Sequence, residues 1–327
     1  MRKVKWGVLG CAAFARNTAI PAMLKADGVE LTAIASRTLE KAEEFQQLFG
    51  FEKAYGSYEA LLADPEIEAI YNPLPNGMHP EWTIKAAQAG KHSLVEKPFA
   101  ANVAEAEEVA KVVEAQGVRV MEAFMWRFHP MHRRARQLVR EGAIGPLRLF
   151  RTAFTFNITR GPNVRLDARL AGGGLMDVGC YCVSEARFFF DSEPIRVYAR
   201  ADYDAEYQVD MLACGVLEFP NGGRAVFDCG FELPYRCDYE LAGASGRISC
   251  PNANLPGEIG QLNLELSGNA SVETFAGVNP WSLEFEHLSQ SIVTGAPLDY
   301  DTADAIKQQR VLDAIYRSTR SGKAETV

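Results

Sequence analysis

No apolar run in this 327-residue sequence reaches the roughly 20 residues that a membrane span requires. The opening Met1-Arg2-Lys3-Val4-Lys5-Trp6 is basic, but it passes straight into a strand-like segment, with no apolar signal core and no small-residue cleavage site. A cytoplasmic location is therefore expected. Basic charge is not in surplus either: 34 Lys and Arg stand against 42 Asp and Glu, a formal net charge of -8. No basic stripe marks a face for nucleic acid. Cysteine is present without a pattern. The seven (Cys11, Cys180, Cys182, Cys214, Cys229, Cys237, Cys250) form no CxxC pair, and Cys180 and Cys182 lie two apart without a nearby histidine. Reduced, small apolar residues are expected there, and no metal site. Low-complexity tracts and runs of like charge are also missing. What is left, 47% hydrophobic and 23% charged, is an ordinary globular composition whose length suits two domains, or one with a large elaboration.

The first half turns on Leu94-Val95-Glu96-Lys97-Pro98, an apolar run ending in a charged pair and a proline. Open α/β sheets collect ligands at the carboxyl ends of their buried strands. An ammonium at such a tip, before a proline that fixes the backbone, is placed to do chemistry, although a solvated loop lysine has the same local sequence. Upstream, strand Val4–Leu9 runs into Gly7-Val8-Leu9-Gly10-Cys11-Ala12-Ala13-Phe14-Ala15. A glycine turn from strand to helix offers backbone N–H groups to a pyrophosphate, with contacts expected from Gly10, Cys11, Ala12, Phe14 and Ala15. Alanine at position 12, where G-x-G-x-x-G has its middle glycine, crowds that approach.

The second strand, Glu30–Arg37, ends about 20 residues after the turn, where the ribose is read. A carboxylate there would hold the ribose hydroxyls of NAD. This chain has Ser36 and Arg37, with Lys41 one turn on, a set that suits a 2′-phosphate and favours NADP. The same residues also read as an ordinary helix entry, since Thr38 opens a helix to Phe49 that Gly50 stops. Helix Tyr58–Ala63, strand Ala69–Tyr71, a helix from Pro80 to Gly90, strand Ser93–Val95, a helix capped by Asn102 and Glu105 and strand Val118–Ala123 continue the alternation. These five strands, read as part of a run of six with intervening helices, make a doubly wound parallel sheet, an α/β dinucleotide-binding domain over residues 1–123.

The rhythm then changes. Phe124-Met125-Trp126-Arg127-Phe128 is an aromatic cluster in which Phe128 reads as core, and Trp126 and Arg127 as candidates for lining a pocket. Strand-like runs at Leu147–Phe156, Ile195–Tyr203, Met211–Phe219, Arg224–Phe231, Asp238–Leu241 and Leu262–Ser267 predict an α+β domain over residues 124–327 with a large, mainly antiparallel open sheet. Helices Trp281–Thr294 and Ala303–Arg320 close the chain, the last of them free to pack back on the first domain. An uncovered sheet face would make a dimer surface. Between the first two of these strands, Gly172-Gly173-Gly174 leads into a helix on which Asp177 and Tyr181 are four apart and share a face. A tyrosine beside a lysine ammonium has its phenolate favoured, which suits proton transfer; a helical Asp and a buried, satisfied Tyr read equally well.

Taken together, GVLGCAAFA, PLPNGMH, AGKHSLVEKP, EAFMWRFHP and GGGLMDVGCY resemble the glucose–fructose oxidoreductase, inositol dehydrogenase and rhizopine-catabolism (Gfo/Idh/MocA) family, over nearly the whole chain. The branch holding NADP-dependent xylose and dihydrodiol dehydrogenases is the most similar, with sugar-nucleotide ketoreductases near it. The resemblance implies a Rossmann domain, Lys97 as the catalytic lysine, a cis peptide before Pro98, Tyr181 as acid/base and Asp177 as the aspartate of D-x-G-x-Y. It implies cofactor contacts from Pro73, Leu74, Asn76, His79, Glu96 and Lys97, and places Trp126, Arg127, Phe154 and Arg165 near cofactor or substrate. Trp126 and Phe154, with Lys97, Asp177 and Tyr181, would meet the substrate. Tyr181 stands where the inositol branch carries histidine, which argues against inositol.

The expected function is hydride transfer between NADP and a sugar hydroxyl or carbonyl, at the anomeric carbon of an aldose such as D-xylose or glucose, by a homodimer or homotetramer joined through the second sheet. Either Tyr181 or Lys97 could be the direct acid/base. A trans-dihydrodiol or nucleotide-linked ketosugar is the alternative substrate. A non-catalytic NADP-binding sensor is the alternative to an enzyme.

Overall fold

The computed structural model describes residues 2–257 and 259–327. The chain divides into two compact units, one running up to Phe128 and taking in Asn279–Ile306, the other comprising His129–Val278 and Lys307–Val327. This differs from a single cut between residues 123 and 124.

In the first unit six strands, β1 (Val4–Leu9), β2 (Val29–Ala35), β3 (Lys53–Tyr55), β4 (Ala69–Asn72), β5 (His92–Glu96) and β6 (Val120–Ala123), form one parallel sheet in the order β3-β2-β1-β4-β5-β6. Valine, isoleucine, leucine and alanine fill β1, β2 and β4 because both faces of a parallel sheet are covered. The order reverses between β1 and β4, and there the carboxyl ends of the strands open a crevice for ligands. Helix Leu39–Phe49 ends at Gly50 in the left-handed region (φ +78°), and helix Val103–Gln116 starts at Asn102, whose side chain accepts the Glu105 N–H at 3.0 Å.

The two departures from the expected boundary have one cause, which is apolar surface in need of cover. Phe128 packs on His287 and Tyr300 with ring centroids 5.1 and 6.0 Å away, so the aromatic cluster belongs to this core. Helix Pro280–Thr294 returns to cover Trp6 and Tyr71: Phe285 meets both rings edge-on, at 5.3 and 5.2 Å, and the Trp6 indole donates to Ser289 Oγ at 3.1 Å. The first turn of the last helix, Thr302–Ser321, also packs there: Ala305 is buried with Val95, Phe99 and Val109.

The second unit is built on nine strands: β7 (Leu147–Asn157), β8 (Arg196–Tyr203), β9 (Asp210–Glu218), β10 (Arg224–Gly230), β11 (Glu232–Gly243), β12 (Gly246–Cys250), β13 (Ile259–Leu266), β14 (Asn269–Ala276) and β15 (Glu325–Thr326). Their order is β14-β13-β12-β11-β7-β10-β9-β8-β15, antiparallel except for the parallel pair β7 and β10. Burial alternates along β8 and β10, with Tyr198 and Val226 exposed on one face while Val197, Ala199, Ala225 and Phe227 are buried on the other, so the sheet keeps one open face. Strand β11 is far longer than Asp238–Leu241. Pro234 interrupts its pairing, the register shifting between Glu232 and Arg236, and so hides the first half of the strand from a pattern search. No helix among the described residues is long and apolar enough to cross a membrane, and those residues hold no cluster of metal-ligating groups.

This core buries ionisable groups whose protonation is tied to folding. His132 lies between Tyr239 Oη (3.1 Å) and the Ala253 carbonyl (2.9 Å), and burial brings it down to about 3 from the ordinary 6.5; His129 is brought to about 4. Glu185 accepts from Thr152 Oγ1 at 2.6 Å and Asn254 Nδ2 at 3.0 Å, yet burial outweighs both bonds and raises it from 4.5 to about 8. Below pH 6.5 the unfolded chain takes up protons that the buried histidines refuse, and stability falls toward acid. Between 4.5 and 8 the folded chain holds the extra Glu185 proton, so that contribution is lost as pH rises through 8. Two histidines outweigh one carboxyl on the acid side, and a stability maximum is expected near pH 6.5 in urea titrations. Glu185→Gln should flatten the alkaline side and steepen the acid limb between 4.5 and 6.5; an unchanged alkaline decline would contradict the assignment.

Candidate active site

The first unit carries the cofactor end. Gly10 closes β1 in the left-handed region (φ +89°), and a Cβ there would stand 3.0 Å from Leu74 Cδ2 and 3.5 Å from Tyr58 Oη. Only glycine leaves this turn both unstrained and open. The chain continues through Cys11, Ala12 and the exposed Phe14 into a π-helix, Ala15–Ala19, with Ala15 fully buried. The Cys11 thiol points at the Lys41 carbonyl (3.5 Å); burial pushes it up, against the opposing effects of Ser36 and Lys41, so it stays protonated.

At the tip of β2, Ser36 is buried and Arg37 is exposed, and among the described residues Arg37 makes no ion pair. Lys41 is different: its ammonium sits 2.6 Å from Glu44 in an exposed i,i+3 pair. Such an exposed pair is weak and readily exchanged. Arg37 is thus the cation already available to an anion. These residues fit a dinucleotide with a phosphate on its adenosine ribose: an open glycine turn at the sheet's switch point, a hydroxyl, an uncommitted guanidinium, and no carboxylate at the ribose-reading position.

At the end of β5 the reacting group is held by its surroundings. The Lys97–Pro98 peptide is cis. Glu122 Oε1, from neighbouring β6, accepts the Phe99 N–H at 2.9 Å, and Glu96 Oε1 accepts from Tyr71 Oη at 2.7 Å. His79, with no exposed surface, aims Nδ1 at the Pro98 carbonyl (2.8 Å) and Nε2 at the Leu74 carbonyl (2.6 Å). Two carbonyls would favour the imidazolium, but complete burial, aided by the nearby Lys97 charge, lowers His79 to about 4. The neutral ring has one N–H and serves one carbonyl at a time. His79 therefore ties the 72–79 loop to the lysine turn rather than presenting an open ring edge, and Lys97 emerges half-buried from a fixed backbone. Replacing His79 with Ala strands a buried carbonyl, at a cost of about 1–3 kcal/mol. A lowered thermal midpoint is the expected result; an unchanged one would contradict the tie.

Trp126 and Arg127 do not stand in an open wall of this unit. Trp126 is 1% exposed, and Arg127 is held by Asp304 at 3.0 Å with its guanidinium 4.2 Å from the centre of the Tyr300 ring. Both are parts of the first unit's core.

In the second unit the expected helix begins as a π-helix, Leu175–Gly179, and continues as an α-helix, Cys180–Phe190. Asp177 Oδ2 accepts from Arg165 Nε at 2.7 Å. Four residues on, the Tyr181 ring packs against Phe154 in β7 at 5.3 Å, and Tyr235 meets the same Phe154 ring edge-on at 6.5 Å. Asp177, Tyr181, Phe154 and Arg165, spread over 28 positions from Phe154 to Tyr181, are thus brought together. Sequence reasoning did not single out Tyr71, Glu122 and Asp210, which bond to these two segments; Tyr71 and Asp210 sit in no motif, Glu122 opens EAFMWRFHP, and each acts across tens of residues.

A family model described as "Oxidoreductase family, NAD-binding Rossmann fold" matches residues 4–124, and a "GFO/IDH/MocA C-terminal domain" model matches residues 132–249. The chain is 38% identical to D-xylose 1-dehydrogenase (NADP(+)) 2 of Haloferax volcanii, over 98% of each protein. Among solved structures it is similar to the aldose-aldose oxidoreductase of Caulobacter crescentus complexed with glycerol (TM-score 0.94, 28% identity, 100% of each chain). It is also similar to a 3-ketoreductase from Actinomadura kijaniata in complex with NADP and TDP-benzene (TM-score 0.91, 30% identity, 97% of this chain and 98% of that one). With a strand order of 3-2-1-4-5-6, a matching model over each half and a full-length relative at this identity, the chain belongs to the Gfo/Idh/MocA oxidoreductase family.

Proposed function

We propose that the protein is an NADP-dependent dehydrogenase of a sugar hydroxyl, acting at the anomeric carbon of a free aldose. The observation that carries this reading is an ammonium, Lys97, on a fixed turn at the carboxyl end of a strand flanking the switch point, in a chain related over its length to an NADP-dependent D-xylose dehydrogenase. Gly10, Cys11 and Ala12 would carry the pyrophosphate, Ser36 and Arg37 the 2′-phosphate, and the 73–79 loop with Glu96 the far end of the cofactor. When bound, NADP supplies the hydride acceptor.

The residues of the chain handle the rest. Lys97 holds the reacting oxygen and stabilises negative charge as it develops there. Tyr181 takes the hydroxyl proton, and Asp177, steadied by Arg165, orients the sugar. The aldose loses one hydride and one proton and leaves as the lactone. The reverse balance describes reduction of a ketone.

A neutral sugar suits this site better than a nucleotide-linked one. In the 158–171 loop each arginine is engaged by a neighbouring acid: Arg160 with Asp204 (2.7 Å), Arg165 with Asp177 (2.7 Å) and Arg169 with Asp167 (2.7 Å). A diphosphate would have to displace these partners. We also propose that the first unit serves as the dinucleotide-binding domain and the second as the substrate-binding domain, a cytoplasmic location, and assembly into a dimer or tetramer through the open sheet face around Tyr198 and Val226.

A panel of aldoses, trans-dihydrodiols and ketosugars, followed by NADPH absorbance, tests the function. Turnover with aldoses is expected. Turnover confined to diols or ketosugars would reassign the substrate, and silence across the panel with tight NADP binding would favour a sensor.

A further inference from the structure

The helix that carries Asp177 and Tyr181 begins against a buried carboxylate that no local motif reveals. Asp210, at the start of β9, is 1% exposed. Its Oδ2 accepts the Leu175 N–H at 2.6 Å, and its Oδ1 accepts from Tyr316 Oη, in the C-terminal helix Thr302–Ser321, at 2.9 Å. The Gly174 amide adds a further bond to the same carboxylate. The carboxylate fits because the backbone around it has no side chains. A Cβ on Gly173 (φ +120°) would collide with Asp210 Oδ1 itself. One on Gly174 would stand 3.0 Å from Gly230 Cα, and one on Gly230 (φ +155°) would collide with the Met211 carbonyl. Three glycines from two segments are thus spent on letting one acid reach the first turn of one helix. Five residues after Gly174, a Cβ on Gly179 would stand 2.7 Å from Cys229 Sγ, in the same strand β10 as Gly230, which leaves the helix little room to slide.

Burying a carboxylate is costly unless donors converge on it, and here backbone N–H groups and a phenol do so. Its bond to Leu175 lies at the amino end of the π-helix, two residues before Asp177 and six before Tyr181. Movement of that end along or about the helix axis displaces both side chains together, and with Asp177 its partner Arg165. We propose that Asp210, backed by Tyr316, is a positioning residue for the proton-handling pair Asp177 and Tyr181. The inference rests on the catalytic role assigned to Tyr181 above.

Asp210→Asn, Asp210→Ala and Tyr316→Phe test it. An asparagine can still accept the Leu175 N–H through its oxygen while its NH2 faces the Tyr316 hydroxyl; an alanine can do neither. For Asp210→Ala, kcat with an aldose should fall by on the order of 10²-fold, as a misplacement of about 1 Å would cause, with the KM for NADP unchanged. Asp210→Asn should recover most of that loss, and Tyr316→Phe should lie between. Hydrogen exchange at the Leu175–Gly179 amides should speed up in the alanine variant and not in the asparagine one, at a temperature where both are folded. Wild-type kcat in Asp210→Ala, or equal losses in Ala and Asn that track their thermal midpoints, would overturn the proposal. Should Asp210→Ala fail to fold, a near-wild-type Asn variant beside a Tyr316→Phe enzyme with lower kcat and faster Leu175–Gly179 exchange supports it, while an Asn variant as slow as a Tyr181→Phe enzyme, or wild-type kcat and exchange in Tyr316→Phe, overturns it. Absence of turnover in the wild-type protein would count against the proposed function alone, since the exchange measurement still decides whether Asp210 anchors the helix.

Discussion

Lys97→Ala is expected to lower kcat by on the order of 10²–10⁴-fold while NADP binding changes little. The reason lies in how the residue is held. The strand delivers it, Glu122 and His79 hold the Pro98–Phe99 peptide that follows it, and the ammonium is left to act. A positive charge aimed at an oxygen that becomes negative contributes in the transition state more than in the ground state, so its removal should appear in kcat rather than in cofactor affinity. Lys97→Arg should not restore the rate, because a planar fork on a longer stem cannot place its charge at the same point. Unchanged turnover in Lys97→Ala, by initial rates of NADPH formation, would remove the residue from the mechanism.

Arg37→Ala should raise the KM for NADP about ten- to hundredfold and leave that for NAD nearly unchanged, the expected loss for about 1.5–3 kcal/mol of hydrogen bonding to a charged group. The effect should fall on one cofactor because Arg37 would meet only the 2′-phosphate. Lys41, already paired with Glu44, should matter less, and Lys41→Ala gives the internal comparison. Arg37→Glu goes further: a carboxylate repels the phosphate and can accept from ribose hydroxyls, so preference should move toward NAD. Equal losses for both cofactors in Arg37→Ala would refute the phosphate-reading role.

What the sequence disclosed, and what it hid, divides by distance along the chain. The tip of β5 was legible because an apolar run, a charged pair and a proline are adjacent. The pair Asp177 and Tyr181 was legible because helical spacing puts residues four apart on one face. A six-stranded parallel sheet followed from alternation, but only five of its strands were located; β3 is a three-residue edge strand with no buried position of its own to announce it. Strands β12 and β14 were missed, and β14 has no buried residue at all, so no period-2 pattern exists to be read. The longest-range facts were out of reach. Nothing near residue 210 says that its carboxylate caps a helix 35 positions earlier, and nothing near His79 says that its ring is spent on Pro98. Trp126 and Arg127 were read as pocket residues from their place at a junction. Their burial follows from a return of the chain at Asn279–Ile306, far from that junction in sequence.

Isotope transfer tests the central claim most directly. D-xylose carrying deuterium at C1 is incubated with the enzyme and NADP, and the nicotinamide product and the sugar product are analysed by mass spectrometry. Hydride transfer from the anomeric carbon predicts one deuterium in NADPH, a primary isotope effect on the chemical step, and an unlabelled lactone, with both products formed far more slowly by Lys97→Ala. Unlabelled NADPH, or label retained in the oxidised sugar, would contradict oxidation at that carbon.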